Sequence, residues 1–388
     1  MRMSSSDIII VGAGVNGCAS AYQLAREGHQ VTVIERFSPA AMASGWTLAG
    51  VRQSGRHPAE LPIAIEAVKM WPKLSEELGA DTGYRQEGNL RIARDENEVE
   101  TIQDLVKVQS KASLDVIFLN GSVEIHEIAP AISHKVLAAS FCRTDGHAEP
   151  HATVMAFRAA AERYGAKFLL GQAASEILVD RDRFVGISTG KDRIVGNNCV
   201  IAAGIHSNDL LAPLNLGIPL SIPMVTVIQT EPLQPLLKPV FGVANANCAG
   251  RQQIDGRLRV TSSAMDWHGE LAQGPPPAVA PTASSIARTI ENVSGVLPAF
   301  RDAKIAKIWA GLLDLTPDAL PVIERTPEIN GIVIAAGFSG HGFGIAPMTS
   351  LLVRDLVLDE TPRLPLNAFK RSRFRGQEVK QSSLTLHG

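Results

Sequence analysis

Gly12, Gly14 and Gly17 stand in G-x-G-x-x-G spacing, and the acid Glu35 follows 18 positions after the last of them. Those residue types at that spacing suit phosphate and ribose binding. A glycine turn lets the N–H groups of a helix start face a pyrophosphate, and the acid accepts the hydroxyls of an adenosine ribose. Gly12 permits the turn, Gly14 the approach of the phosphates, and Gly17 close packing of helix on sheet. A second cluster, Gly337, Gly340, Gly342 and Gly344, encloses His341 and Phe343. Such a density of glycine implies backbone lying against something flat or anionic, and a helix start there would stabilise negative charge. Arg52, Arg56, His57 and Arg251 are candidates for anion recognition. His341 is a candidate for tuning a bound group, or equally a structural histidine.

These residues need elements to hold them. Ile8–Val11 is an apolar run of the kind found in strands buried on both faces. Ala19, Ala21, Leu24 and Ala25 suit a small-faced helix ending near Gly28, and Val31–Ile34 a second strand. The resulting strand–turn–helix–strand unit does not by itself separate FAD from NAD. Residues 36–58 read as loop and helix start along the same ligand. Helical periodicity covers 60–79, 96–110, 151–164 and 284–296. Strands are expected over 83–93, 167–170, 173–180, 183–189, 200–204, 222–230, 239–244, 258–263 and 332–336, and strand and turn over 125–130 and 138–150. Residues 251–256 read as a turn beside a basic group, and Pro275–Pro277 as a loop. The spacing of Met348, Leu351, Leu352 and Leu356 predicts a helix after the second glycine cluster. The expected fold is α/β, with a discontinuous Rossmann-like cofactor domain (1–83, 148–217, 305–388). A second α+β substrate domain on a mixed sheet would comprise 84–147 and 218–304.

At 388 residues the chain is long enough for two domains, and a net charge of −2 gives no footprint for nucleic acid. Its four cysteines are widely spaced without a C-x-x-C pair, which argues against a metal or iron–sulfur site and fits a reducing, cytoplasmic compartment. No run of about 18 apolar residues is present, so no transmembrane helix is expected, and the N-terminus lacks the pattern of a signal peptide.

With both glycine regions in view, the chain resembles the D-amino-acid oxidase superfamily of FAD enzymes. That group includes glycine oxidase, sarcosine oxidase and the β subunits of heteromeric sarcosine, proline and opine oxidases. The resemblance covers nearly the whole chain. It rests on GAGVNG with Glu35, ASGWTLAG after it, DGHAEP at 145–150, VIAAG at 200–204, GRQQIDGRL at 250–258, TPDALPVI at 316–323 and GFSGHGFG at 337–344. It implies a glutathione-reductase-type FAD domain. Gly12, Gly14, Val15, Asn16 and Gly17 would serve the pyrophosphate, and Glu35 and Arg36 the ribose. Ser44, Ala49 and Gly50 would lie along the phosphates or ribityl chain, and Ala174 against adenine. Ala203, Gly204, Gly311 and the loop Gly340, His341, Gly342, Phe343, Gly344 complete the implied contacts, the loop lining the isoalloxazine.

The departures from the pattern are informative. Where monomeric sarcosine oxidases attach flavin through a cysteine, this chain has Gly311. Residues 36–56 contain no histidine for the alternative attachment, so non-covalent FAD is expected. Leu313 and Asp314 replace the Arg-Pro pair of glycine oxidases, and Gly344 replaces the sarcosine oxidase lysine. Arg52, Arg56 and Arg251 remain as anion anchors, with Arg52, Arg251 and His341 the catalytic candidates. The implied activity is FAD-dependent oxidation of a secondary amine or amino acid, with hydride passing to flavin N5 and the imine then hydrolysing. The best pattern match is a β subunit of an opine oxidase-like complex, whose partner subunits carry further redox centres. The basic stretch Lys370–Arg375 is a possible docking tail. A free-standing D-amino-acid, glycine or sarcosine-type oxidase using O2 is the rival. An NAD-binding or non-catalytic nucleotide-binding protein is the alternative of another class.

Overall fold

The computed structural model describes residues 3–271, 274 and 277–376, so Pro275 and Pro276 of the expected proline loop lie outside the described residues. The strand Met3–Val11 lies centrally in the first sheet, parallel to Val31–Glu35 on one side and to Arg193–Ile201 on the other. A parallel pair needs a crossover, and the helix Val15–Arg26 supplies it. Lys167–Leu170 extends the sheet beyond Val31–Glu35. Ile332–Ala336 extends it beyond Arg193–Ile201, and Val322–Arg325 closes that edge antiparallel. The hairpin of Glu176–Asp180 and Arg183–Ser188 joins the N-terminal half of Arg193–Ile201. Val15–Arg26, Leu61–Leu78, Pro150–Arg163 and Gly342–Val357 pack together over one face, around Tyr22, Trp71, Phe157 and Leu352.

The second sheet runs in the order Ile305–Leu312, Met224–Pro232, Arg257–Ser262, Cys248–Gln252, Val240–Val243, Asn89–Ala93, Ala138–Cys142, Val116–Asn120. It is antiparallel except where Val240–Val243 meets Asn89–Ala93. The helix Ala283–Val296 covers one face through Val293 and Val296, against Ile228, Phe241 and Val260. Thr282 caps that helix, its side chain accepting from Ser285 N–H.

Several expectations are corrected. Residues 125–130 were expected as strand, but Gly121–Ile128 is a helix, entered through Gly121 at φ +81°. The strand expected over 83–93 shortens to Asn89–Ala93, because Gly83 and Gly88 both take positive φ and turn the chain. Arg251 sits inside the strand Cys248–Gln252, and the turn follows it at 253–256. The edge strands Val116–Asn120 and Ile305–Leu312 carry too irregular an apolar pattern to be read in advance. Ile305–Leu312 pairs with Met224–Pro232, so the opening of the expected cofactor segment 305–388 belongs to the second sheet. The basic stretch is no projecting tail. Arg371 pairs with Glu324 and Glu328, Arg373 with Asp318, and Arg375 with Glu328.

Candidate functional site

The first glycine turn is built by contact. Gly12 has φ +105°, and a Cβ there would lie 2.3 Å from the carbonyl oxygen of Ala202. A Cβ on Gly17 would lie 1.9 Å from the carbonyl oxygen of Gly12, so helix and turn touch backbone to backbone. Glu35 clamps the same turn, accepting from Ala13 N–H at 2.7 Å and Phe37 N–H at 2.8 Å. Burial raises its pKa, and those two N–H groups offset part of the rise. Each oxygen keeps a lone pair, and Glu35 lines the cleft beside Arg36 and Ala174. Ser44 Oγ accepts from Val15 N–H at 3.0 Å. Gly14 at the N-cap has no side chain and the first turn carries no acid, so beyond Val15 N–H, held by Ser44, the helix N-terminus is open to an anion.

The second glycine turn leaves Ile332–Ala336 and starts the helix Gly342–Val357. A Cβ on Gly342 would lie 2.9 Å from Asn16 Nδ2, so the two glycine turns meet. Trp71 Nε1 donates to the Gly344 carbonyl at 2.8 Å, which fixes the start of that helix from behind. Asp314 accepts from Gly337 N–H at 2.8 Å. Its carboxyl is pushed up to about 6 by burial, partly offset by backbone N–H groups of the glycine turn. Since the ordinary value is 3.8, the native state holds this proton more tightly, and stability falls as pH rises from about 4 through 6. Asp314→Asn keeps an acceptor and removes the charge. It is expected to stabilise the flavin-free protein above pH 6 by about 1–3 kcal/mol, and to have no effect below about pH 4, as read from denaturation midpoints across pH.

One continuous cleft joins the two turns. Gly12, Gly14, Val15, Asn16, Glu35, Arg36, Ser44, Gly50, Ala174, Ala203, Gly204, Gly311, Gly340, Gly342 and Phe343 all line it, as do Arg52 and Arg56. Gly17, Ala49, His341 and Gly344 lie behind its wall. The second sheet contributes a face that sequence reasoning missed: Asn89, Leu90, Arg91, Val225, Val227, Phe241 and Thr261. An arginine inside the otherwise apolar strand NLRIA was the available signal. The open helix start, the ribose-side acid and the backbone-lined turns fit an FAD. No cysteine lines the cleft among the described residues, and Trp46 packs over Gly311.

Arg52, Arg56 and Arg91 gather at the end of the cleft where the second glycine turn meets the second sheet. Burial first, then Arg56 and Arg91, hold the Arg52 pKa well below its usual value. Burial and Arg56 bring Arg91 down to about 10. Two buried acids face them. Asp145 accepts from Gln53 N–H, Ser54 N–H and Ser54 Oγ. Glu60 lies 4.0 Å from Arg56 Nη1 and 3.4 Å from His341 Nδ1. Burial alone would raise Glu60, but Arg56, His341 and Arg52 draw it down to about 2. His341 is pushed down to about 4 by burial and by Arg56, against the pull of Glu60. Burial and Arg56 thus favour the neutral imidazole, which lies behind the glycine turn.

Arg251 is elsewhere. It is fully buried, donating to the carbonyls of Leu48 and Ala148, to His147 Nδ1 and to Glu149. It ties the second sheet to the turn before the helix Pro150–Arg163, and its expected part as an anion anchor gives way to a structural one. Arg251→Met is expected to lower stability by about 3–5 kcal/mol while leaving ligand specificity unchanged, as read from denaturant midpoints and from flavin titrations.

A family profile described as FAD dependent oxidoreductase (DAO) matches residues 7–356. The chain is 27% identical to the glycine oxidase of Bacillus subtilis (strain 168), over 96% of this chain and 99% of that one. It is 24% identical to the sarcosine oxidase subunit beta of an Arthrobacter species, over 95% and 91% respectively. Among solved structures, the L-proline dehydrogenase from P. horikoshii matches with a TM-score of 0.89 and 28% identity, covering 98% of this chain and 100% of that one.

Proposed function

Because the chain belongs to the DAO family of FAD-dependent oxidoreductases, we propose that it oxidises the carbon–nitrogen bond of an amine or amino acid held by its carboxylate at Arg52 and Arg56. The observation that carries this reading is the buried arginine cluster at the end of the cleft where the second glycine turn lies. FAD, when bound, supplies the two-electron acceptor for the C–H bond beside nitrogen. The chain's own residues do the rest. Arg52 and Arg56 fix the anionic end of the substrate. The apolar strands above exclude water. The start of the helix Gly342–Val357 and its glycine turn present a positive field to the same end of the cleft.

The first sheet with its helices is proposed as the cofactor unit and the second sheet as the substrate unit. FAD is proposed to be held without a covalent bond, supported by Gly311 in the cleft wall. Acid precipitation of the yellow protein is expected to release all flavin into the supernatant, and flavin absorbance retained in the pellet would refute this. Anaerobic bleaching of the flavin by an amine or amino acid tests the activity itself. If no member of a broad amine panel bleaches it, the reading fails.

The finer reading is that the chain is the flavin-bearing subunit of a heteromeric, opine oxidase-like dehydrogenase. Its support is the similarity to a protein named as one subunit, sarcosine oxidase subunit beta, together with the missing sarcosine oxidase lysine at Gly344. Reoxidation of the reduced protein by O2 is then expected to be slower than by an artificial dye, in a stopped-flow comparison. Equal or faster reoxidation by O2 would favour a free-standing oxidase. A cytoplasmic setting is proposed from four free, buried cysteines. Among the described residues, no helix is long and apolar enough to cross a membrane.

A further inference from the structure

Residues 366–375 fold back on the first sheet as a strap. Leu366 and Phe369 are buried in the core beneath the helices, and Arg371 and Arg375 hold the strap to Glu324 and Glu328. Arg373 reaches further. Its Nε donates to Asp318 Oδ2 at 2.7 Å and its Nη2 to Asp318 Oδ1 at 3.2 Å, the planar fork of a bidentate pair. Nη2 also donates to the Leu320 carbonyl at 2.7 Å, and the guanidinium lies over the Phe374 ring at 4.1 Å.

From Leu320 the bonds continue inward. The same Leu320 carbonyl accepts from Thr316 Oγ1 at 2.7 Å, and Leu320 N–H donates to Asp318 Oδ1 at 3.1 Å. Thr316 Oγ1 lies 3.2 Å from Ser339 Oγ, which also accepts from Thr316 N–H at 3.2 Å. Ser339 is fully buried, and it stands between Gly337 and Gly340 in the second glycine turn. Two residues along this path have left-handed backbone without being glycine, Ala319 at φ +58° and Ser339 at φ +52°. Such a conformation is costly and persists only where its surroundings hold it. Here the surroundings are a single run of bonds, with a strap arginine at its outer end.

We infer that Arg373 is a positioning residue for the second glycine turn. From the strap it fixes residues 316–320, and through Thr316 and Ser339 it keeps the turn in the shape that receives the flavin. The inference rests on FAD lying against that turn, and is independent of which amine is oxidised. A turn held in advance costs no reorganisation when negative charge develops against it, so the reduced flavin depends on it more than the oxidised one does.

The test is a double-mutant cycle on the FAD-loaded full chain with Arg373→Met and Thr316→Val. FAD affinity is read by dilution, following the fluorescence of released flavin, and the flavin potential is read against reference dyes. Each single variant is expected to bind oxidised FAD about tenfold more weakly, since each breaks a buried bond of the same path. The double variant is expected to bind no more than about threefold more weakly than either single one, because the path is already broken. Reduced FAD is expected to lose at least about three times more affinity than oxidised FAD, so the potential falls, which a general loss of stability would not produce. Arg375→Ala, a mostly exposed strap arginine that pairs with Glu328, is expected to bind FAD as the wild type does. Should Arg373→Met fail to fold, Arg373→Lys takes its place in the cycle, with a smaller loss and the same coupling, since an ammonium cannot fork to Asp318. Multiplicative losses in the double variant, wild-type affinity in the Arg373 variant, or an unchanged potential overturns the inference while leaving the cofactor in place. Failure of the wild type itself to bind FAD would sink the cofactor reading, and this inference with it.

Discussion

Gly17→Ala is expected to give protein that holds little or no flavin and unfolds well below the wild type. The added methyl would start 1.9 Å from the carbonyl oxygen of Gly12, where no side-chain rotation can relieve it. Either the helix Val15–Arg26 moves off the sheet or the turn opens. The helix packs through Cys18, Ala19, Ala21 and Leu24, all fully buried, so moving it opens the core around Tyr22 and Phe157. Overpacking of this kind costs about 1–3 kcal/mol, and more where backbone meets backbone. Displacing the turn also moves the N–H groups proposed to face the phosphates. The flavin-to-protein absorbance ratio of purified protein is expected to fall by about tenfold, a change of about 1.4 kcal/mol per tenfold in binding. Gly295→Ala is the control. It lies in the helix Ala283–Val296 away from the cleft and its Cβ would meet nothing within 4 Å, so flavin content should be unchanged. Equal losses in the two variants would show that the contact between helix and turn is not what holds the cofactor.

Arg52→Met is expected to raise the substrate concentration that half-reduces the flavin by about 30-fold or more, because truncating one partner of a buried charge pair costs about 2–5 kcal/mol. Arg52 lines the cleft and also donates to the Ser54 carbonyl at 3.3 Å, so its position is set before any ligand arrives. Methionine fills most of the volume, which keeps packing loss small. The flavin spectrum and flavin content should remain those of the wild type, and this separates an anchoring role from a structural one. Arg52→Lys is expected to recover only part of the affinity, since an ammonium cannot present the planar fork that matches a carboxylate. Wild-type half-saturation in Arg52→Met, measured by anaerobic titration, would remove Arg52 from the site.

The two ends of the cleft were legible because each glycine cluster carries its own context. Gly12, Gly14 and Gly17 sit between a buried strand and a small-faced helix, and Glu35 closes the next strand. The substrate end was legible only in pieces. Arg52 and Arg56 stood out as cations near the first motif, but Arg91 belongs to a strand that reaches the cleft only through pairing with Val240–Val243 and Ala138–Cys142. Arg251 misled for the same reason. Its sequence neighbourhood resembles a turn, while its strand places the guanidinium among Leu48, Ala148 and Glu149. Glu60 and Asp145 gave no local sign of their part, since a buried acid announces itself only through the arginines that fold against it. Local pattern thus reported the segments that line the cleft by backbone. Side chains assembled by sheet register stayed hidden.

The strand Ile332–Ala336, which delivers the second glycine turn, bonds to Arg193–Ile201, and nothing earlier in the chain takes that place. During synthesis, Arg193–Ile201 emerges well over a hundred residues before its neighbour. It can join Met3–Val11 at once, and the hairpin before it covers the N-terminal half of its other edge, but the C-terminal half stays bare until Ile332–Ala336 leaves the ribosome. That edge is apolar at Cys199, Val200 and Ile201, the kind of exposed strand that recruits other chains. The nascent protein is thus expected to need a chaperone or a low concentration over this interval. It also cannot enclose its cofactor early: chains stopped near residue 330 should be colourless and prone to aggregate, however complete their first glycine turn.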